Sequence, residues 1–354
     1  MAKKLFIPGP VDVSSDAFQA MSVPMIGHRG GEMAKLLDDC GAGLKKLMFT
    51  ENTIFMFPSS STGVMEGAVR NCVKTRCLSV CNGAFSERWH GIAKENGKEA
   101  DALMFEWGEA PDPKLIDEKL STGKYDALTL IHNETSTGVA APLSEISKVV
   151  KKHDVSFLVD TVSSMGGAKI EVDKFGIDVC LFGVQKCMAL PAGLAIASVS
   201  DAALKKAETV PARGHYFDFI AYKKYLDKKQ TPTTPALSIM QGLRFQLDKI
   251  HNKEGLENRF RRHEGMAELT RMWAKKNFAL LPEEQYSSKT VTCVKNTRNI
   301  DCNALKAQLS ARGYVFSTGY GKIADKTFRI AHMGERTPEE LKAYLADIDD
   351  ILGL

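Results

Sequence analysis

SFLVDTVSSMGG, residues 156–167, and VCLFGVQKCMALPAG, residues 179–193, are the stretches on which the fold turns. Each opens with a run that is almost wholly apolar and stops at polar residues, Asp160 in the first and Gln185-Lys186 in the second. Strands buried on both faces read this way, because a parallel sheet covered by helices leaves neither face to water. Outward from these two, TIFMF (53–57), LSVCNG (78–83), ALMFEW (102–107), ALTLIHN (127–133) and LAIASVS (194–200) share the texture. Helix signals lie between them. Asp112-Pro113 offers an N-cap followed by proline at the first helical position, and Ser144 and Ser200 stand as N-caps before periodic segments. The alternation predicts an α/β fold: an open, mainly parallel sheet with helices on both faces.

The texture changes after residue 205. QTPTTPALS (230–238) lacks periodicity and reads as an ordered loop, and from Pro235 a long amphipathic pattern runs through LSIMQGLRFQLDKI and GLENRFRRHEGMAELTRMWAKK. Strands follow around TVTCVKN (290–296) and TFRIAHM (327–333), and Thr337-Pro338-Glu339-Glu340 forms a capping box that opens a last helix. This divides the chain into an N-terminal arm (1–15), a large domain (16–240), and linking helices with a small α+β domain (241–354).

Composition narrows the function classes. With 354 residues, 44% hydrophobic and 25% charged, the chain can bury a large core without staples. Its net charge of +4 shows no clustering, so a polyanion surface is not implied and nucleic acid is not expected as a partner. No run approaches 18 apolar residues, and none resembles a signal peptide, so neither a membrane span nor export is expected. The eight cysteines form no C-x-x-C pair; even the closely spaced Cys72, Cys77 and Cys81 read as reduced, partly buried thiols rather than metal ligands, and a cytoplasmic setting fits.

Ligands in open α/β sheets bind beyond the carboxyl ends of the strands. Asp160 ends one apolar strand, where a carboxylate needs a cation or several donors. Lys186 ends another, where an apolar setting favours a neutral amine able to attack a carbonyl. Ser59, Ser60, Ser61, Thr62 and Gly63 open a helix after a strand, which suits an anion. Thr135, Ser136 and Thr137 follow a fourth strand. Singly, each has a plainer reading as a turn cap, a snorkelling lysine or an N-cap run. Jointly they describe one ligand with a phosphate, a group that pairs with a buried carboxylate, and an aldehyde that meets an amine. Pyridoxal 5'-phosphate (PLP) has all three. No G-x-G-x-x-G occurs, which argues against a dinucleotide oxidoreductase.

On these motifs, V-D-T-V-S-S-M-G-G and G-x-Q-K above all, the sequence resembles the class V aminotransferases, fold type I PLP enzymes. It is nearest the alanine/serine–glyoxylate branch, with phosphoserine aminotransferases close by. The likeness runs from FIPGPVDVS to TFRIAHMG. It implies Lys186 as the lysine that binds the cofactor aldehyde and Asp160 as the carboxylate facing the pyridine nitrogen. Ser60, Ser61, Thr62 and Gln185 would hold phosphate. Phe85 would stack on the ring, where relatives often have tryptophan, with Val162 on the opposite face and Thr135 near the ring oxygen. Gln230 and Thr233 would be phosphate ligands lent by the other subunit of a homodimer, although many relatives have tyrosine where Gln230 stands. Arg329 would grip the substrate carboxylate, and Gly9 would border the substrate. His28 and Arg29 would either bind a distal substrate phosphate or play a structural role, and His332 carries the same ambiguity. No metal is implied.

The resemblance further implies transamination of a small amino acid, serine or alanine, with glyoxylate or pyruvate as acceptor. Phosphoserine with 2-oxoglutarate is the alternative. A lyase or desulfurase of the same fold would call for a ring-stacking histidine and a cysteine in a mobile Gly/Ser-rich loop, and Phe85 stands where that histidine would. A non-enzymatic relative would not be expected to keep Lys186, Asp160 and Arg329 together.

Overall fold

The computed structural model describes residues 3–354. Seven strands build the main sheet: β1 (Thr53–Phe57), β2 (Arg76–Cys81), β3 (Glu99–Met104), β4 (Ala127–Ile131), β5 (Ser156–Asp160), β6 (Val179–Gly183) and β7 (Ala195–Val199). Their order across the sheet is β1-β7-β6-β5-β4-β2-β3. β7 runs antiparallel to both of its neighbours, and every other pairing is parallel. The two-residue alternation of a pleat sorts the strand side chains onto two faces. Ile54, Met56, Leu128, Leu130, Phe157, Val159 and Phe182 enter one core. Phe55, Phe57, Leu158, Leu181, Ala195 and Ala197 enter the other. Both faces are therefore filled, which is why the strands read as continuous apolar runs.

The interior strands lie where the sequence puts them. So does the edge strand β1, but the other edge strand, β3, differs: it begins at Glu99 and ends at Met104, rather than spanning 102–107, and Met104 is exposed. An edge need not be apolar on both sides, and β3 is tied to β2 through Arg76, paired with Glu99 and Asp101. Ser144 is a second correction. The helix Leu143–Val150 starts before it, with Pro142 at the cap position and no side-chain cap bond. Pro142 fixes the start instead, because its ring constrains the backbone at the turn. Asp112, Ser200 and Thr337 cap as expected, accepting from the amides of Lys114, Ala203 and Glu340.

The helices that matter for the site are α1 (Ser61–Cys72), which follows β1, and α2 (Ala84–Glu95), which follows β2. Further along, Leu237–Asp248 is helical, and residue 240, the division read from sequence, falls inside it. A π-type turn (Lys249–Glu254) and Gly255 lead into the long helix Leu256–Asn277. A second, antiparallel sheet holds β8 (Ala279–Leu280), β9 (Val291–Lys295), β10 (Ser317–Thr318) and β11 (Thr327–Ala331), in the order β8-β9-β11-β10. The N-terminal arm crosses between the two sheets. Lys4–Leu5 pairs in parallel with Tyr314–Val315, and buried Phe6 stacks on Tyr344 of the last helix at 3.8 Å. Among the described residues no helix is long and apolar enough to cross a membrane.

Candidate active site

The carboxyl ends of β4, β5 and β6 open with the start of α1 on one cavity of about 340 Å³. Gly9, Ser60, Ser61, Thr62, Phe85, Thr135, Asp160, Val162, Gln185 and Lys186 all line it. Residues as far apart in sequence as Gly9 and Lys186 thus meet at one place.

Asp160 is the last residue of β5 and only 4% exposed. Its Oδ1 accepts one backbone bond, from Val162 N–H at 2.6 Å. Burial pushes its carboxyl up to about 7, Val162 pulls it back, and the charge of Glu134 adds to the rise. A carboxylate so placed is short of a cation. Lys186 lies three residues beyond β6, and its Nζ donates to the Pro8 carbonyl. Its surface faces the cavity while protein atoms surround the rest. That burial lowers the amine to about 8, and the nearby charge of Arg329 acts in the same direction. Gly9 permits the approach. Its φ of +123° is disfavoured for other residues, and a Cβ there would stand 2.6 Å from Lys186 Cδ.

The first turn of α1 faces the same space. Ser60, the N-cap residue, makes no side-chain cap bond, and the Ser61 hydroxyl is buried without a hydrogen-bond partner. Unsatisfied backbone and hydroxyl donors at the start of a 12-residue helix form an anion seat. Phe85 and Val162 lie on the cavity wall, both partly buried. The Thr135 hydroxyl bonds that of Ser163.

Arg329, from the middle of β11, is buried yet has no carboxylate partner among the described residues. Its Nη1 donates to the Thr135 carbonyl at 3.2 Å and its Nε to the Thr318 carbonyl at 3.3 Å. The guanidinium lies 5.2 Å from the centre of the Tyr320 ring. It backs the Thr135 wall rather than lining the cavity directly. A buried arginine lacking an anion has unmet demand of the sort a ligand carboxylate satisfies.

Four further expected residues stand outside the cavity in this chain. Gln230 accepts from Arg29 Nη1 at 3.1 Å, and neither these two nor His28 and Thr233 line the cavity. His332 is wholly buried, bonded to Thr292 Oγ1 at 2.9 Å, and burial holds its imidazole down to about 3, which favours the structural one of its two readings.

The structure also brings in residues that the sequence reading missed. Arg88 lines the cavity, lies 4.8 Å from the Phe85 ring centre and donates to the Tyr320 hydroxyl at 3.3 Å. Tyr320 in turn stacks on Phe85 at 5.5 Å. Arg88 stands three residues after Phe85 on one helix face, so helical spacing would have found it. Glu134, fully buried, accepts from the amides of Phe85 (3.2 Å), Ser86 (3.0 Å) and Ser136 (3.1 Å), and so fixes the start of α2. Its place right after a strand end was the only signal. Asn133 also lines the cavity.

The demands of the site match PLP in kind: an amine for an aldehyde, a donor-poor carboxylate for a protonated ring nitrogen, and an orphaned hydroxyl at a helix start for a phosphate. Fold and site together define an α/β enzyme of the aminotransferase type. Residues 19–330 match the family model for class-V aminotransferases, and the chain belongs to that family. It is 41% identical over 358 residues to an uncharacterized aminotransferase of Methanocaldococcus jannaschii, covering 98% of this chain and 92% of that one. To a serine–glyoxylate aminotransferase of Methylorubrum extorquens it is 34% identical over 353 residues, covering 94% and 86%. The solved alanine–glyoxylate aminotransferase of Nostoc sp. superposes with a TM-score of 0.94 at 26% identity, covering 99% of this chain and 96% of the other.

Proposed function

We propose that this chain binds pyridoxal 5'-phosphate and moves the amino group of serine or alanine to glyoxylate or pyruvate by a ping-pong route. The observation that carries the reading is the meeting of Lys186, Asp160 and the unbonded Ser61 hydroxyl on one cavity. Bound PLP supplies the electron sink that makes a substrate Cα–H acidic. The remaining work belongs to the chain.

Lys186, with its amine brought near neutrality, holds the aldehyde at rest. With cofactor and substrate bound, the same amine would be the base that takes and returns the substrate Cα proton. Asp160 keeps a proton on the ring nitrogen, since an ion pair relieves the isolation of its carboxylate. Ser60, Ser61, Thr62 and Gln185 would hold the PLP phosphate, Phe85 and Val162 would flank its ring, and Thr135 would lie near the ring oxygen. Arg329 binds the carboxylate shared by donor and acceptor, which lets one site serve both substrates in turn. Gly9 leaves the substrate room. Gln230 and Thr233, outside this chain's own cavity, reach the phosphate of a second copy in a homodimer, and His28 and Arg29 belong to the same seam. The division into arm, large domain and small domain, and a cytoplasmic location, complete the reading. The relatives named for serine and alanine support the choice of donor.

Two measurements test this. Borohydride treatment of the yellow protein is expected to fix the cofactor mass on the peptide containing Lys186; label on another lysine refutes the assignment. Mixing the protein with serine, alanine or phosphoserine and following loss of the lysine-bound chromophore ranks the donors. Phosphoserine far ahead of the others would move the reading to a phosphoserine aminotransferase and give His28 and Arg29 the distal phosphate.

A further inference from the structure

We propose that Arg259 is a positioning residue for the reaction: its buried guanidinium fastens together the backbone segments behind Asp160, Lys186 and Arg329, and so sets how those three groups face one another. The roles of the three rest on the proposed function above; the fastening itself rests on the contacts that follow.

Arg259 sits in the first turn of the helix Leu256–Asn277 and is wholly buried. A cation there opposes the helix dipole, so helical preference does not explain its presence. What it does instead is use every donor it has. Nε–H donates to the Gly166 carbonyl at 2.9 Å. Nη2 donates to the carbonyls of Cys187 at 2.6 Å and Gly334 at 3.4 Å. Nη1 donates to Glu254 at 2.7 Å and Glu335 at 3.0 Å. A guanidinium has five N–H groups in a fixed plane, and here each has an acceptor.

The three carbonyls are not random surroundings. Gly166 lies six positions after Asp160, Cys187 is the neighbour of Lys186, and Gly334 lies five positions after Arg329. Each of the three chemical groups therefore has a nearby stretch of main chain held by one side chain. The segments also touch directly: a Cβ on Gly334, whose φ is +76°, would meet Ala189 Cβ at 3.3 Å and the Lys186 carbonyl at 3.5 Å. One turn further along, Arg262 reinforces the clamp, donating to Glu254 at 2.8 Å and to the carbonyls of Gly334 and Arg336 at 3.1 and 2.5 Å. Burial alone would raise the carboxyl of Glu335, but Arg259 and Lys249 hold it down to about 2, so the counter-charge is permanent. Lysine cannot substitute for this fork, because one ammonium cannot span three carbonyls and two carboxylates.

The test compares wild type with Arg259→Lys and Glu335→Gln. In the holoenzyme, Arg259→Lys is expected to keep the cofactor on Lys186 but change the visible circular dichroism of the bound chromophore. Turnover, kcat, should fall by about a hundredfold, the scale of a 1 Å misplacement, while KM holds. Millimolar guanidinium, and not methylammonium, should partly restore Arg259→Ala. In protein freed of cofactor, Lys186 should react several-fold faster with acetic anhydride in Arg259→Lys, relative to exposed lysines, as its hold on Pro8 loosens. An arginine that only stabilised the fold would shift melting and leave dichroism, the kcat-to-KM split and lysine reactivity alone; that result overturns the proposal. Should Arg259→Lys not fold, Glu335→Gln decides, since it takes the charge from one of the two carboxylates that hold Nη1: wild-type dichroism and Lys186 reactivity there also overturn it. The cofactor-free readout is independent of the PLP assignment, so a failure of one reading is not mistaken for a failure of the other.

Discussion

Replacing Asp160 by asparagine should make the cofactor-free protein more stable at alkaline pH, and the size of the effect follows from the carboxylate's surroundings. Asp160 is 4% exposed, accepts one backbone bond and forms no ion pair among the described residues, and burial, outweighing the weaker pull of Lys186 and Arg88, moves its carboxyl from 3.8 to about 7. Because the folded-state value is raised, the unfolded chain gives up this proton first. The group's contribution is complete below pH 3.8 and is lost as pH climbs to about 7, after which it is flat. Each pH unit inside that window is worth about 1.4 kcal/mol, so the two units from pH 5 to 7 amount to about 3 kcal/mol. An asparagine side chain cannot ionise and has no such slope. The assay is thermal or urea unfolding of cofactor-free wild type and Asp160→Asn from pH 5 to 8. Wild type should lose stability relative to the variant across the range, by several degrees in Tm. Adding PLP should flatten the difference, because a positive partner restores the ionised form. Parallel pH curves for the two proteins without cofactor would refute the claim that Asp160 is an isolated buried carboxylate.

Arg329→Ala should leave cofactor binding intact and weaken donor and acceptor half-reactions together, by about 2–5 kcal/mol, the cost of removing one partner of a buried charge pair; stopped-flow traces with only one half-reaction affected contradict the shared role. Ser61→Ala removes a hydroxyl that is unbonded in the chain itself, so melting of the cofactor-free protein should hardly move while PLP dissociates about tenfold more readily, for a loss of about 1.4 kcal/mol. Gly9→Ala places a methyl against the Lys186 methylenes at a φ of +123°; slower borohydride fixation at Lys186 in an otherwise folded protein is the expected result, and an unchanged rate sinks the close-approach argument.

What could be read from the chain alone follows from where polarity interrupts apolar strands. Asp160 and Lys186 stood out because each ends a run that is otherwise almost entirely hydrophobic, and the structure sets both on one cavity. The interior strands were legible for the same reason, since burial on both faces leaves no polar alternation. The edge strand β3 was not, because Glu99 and Asp101 are held there by Arg76 on the neighbouring strand, a pairing with no sequence signature. Ser144 misled because a good capping residue lay one position inside a start set by Pro142. Arg88 was open to helical spacing from Phe85, whereas Glu134 and Tyr320 acquire meaning only when α2, the end of β4 and the loop after β10 meet. Arg259 was hidden altogether: in sequence it is one arginine among several in NRFRRH, and only the packing shows that every one of its donors is used.

The path of the arm has a mechanical consequence. Phe6 lies flat on Tyr344, and two residues later the Pro8 carbonyl receives the amine of Lys186. One short segment thus leans on the helix Pro338–Leu352 at one point and on the lysine beyond β6 at another. A shift of that helix against the main sheet is therefore passed along three residues of backbone to the amine.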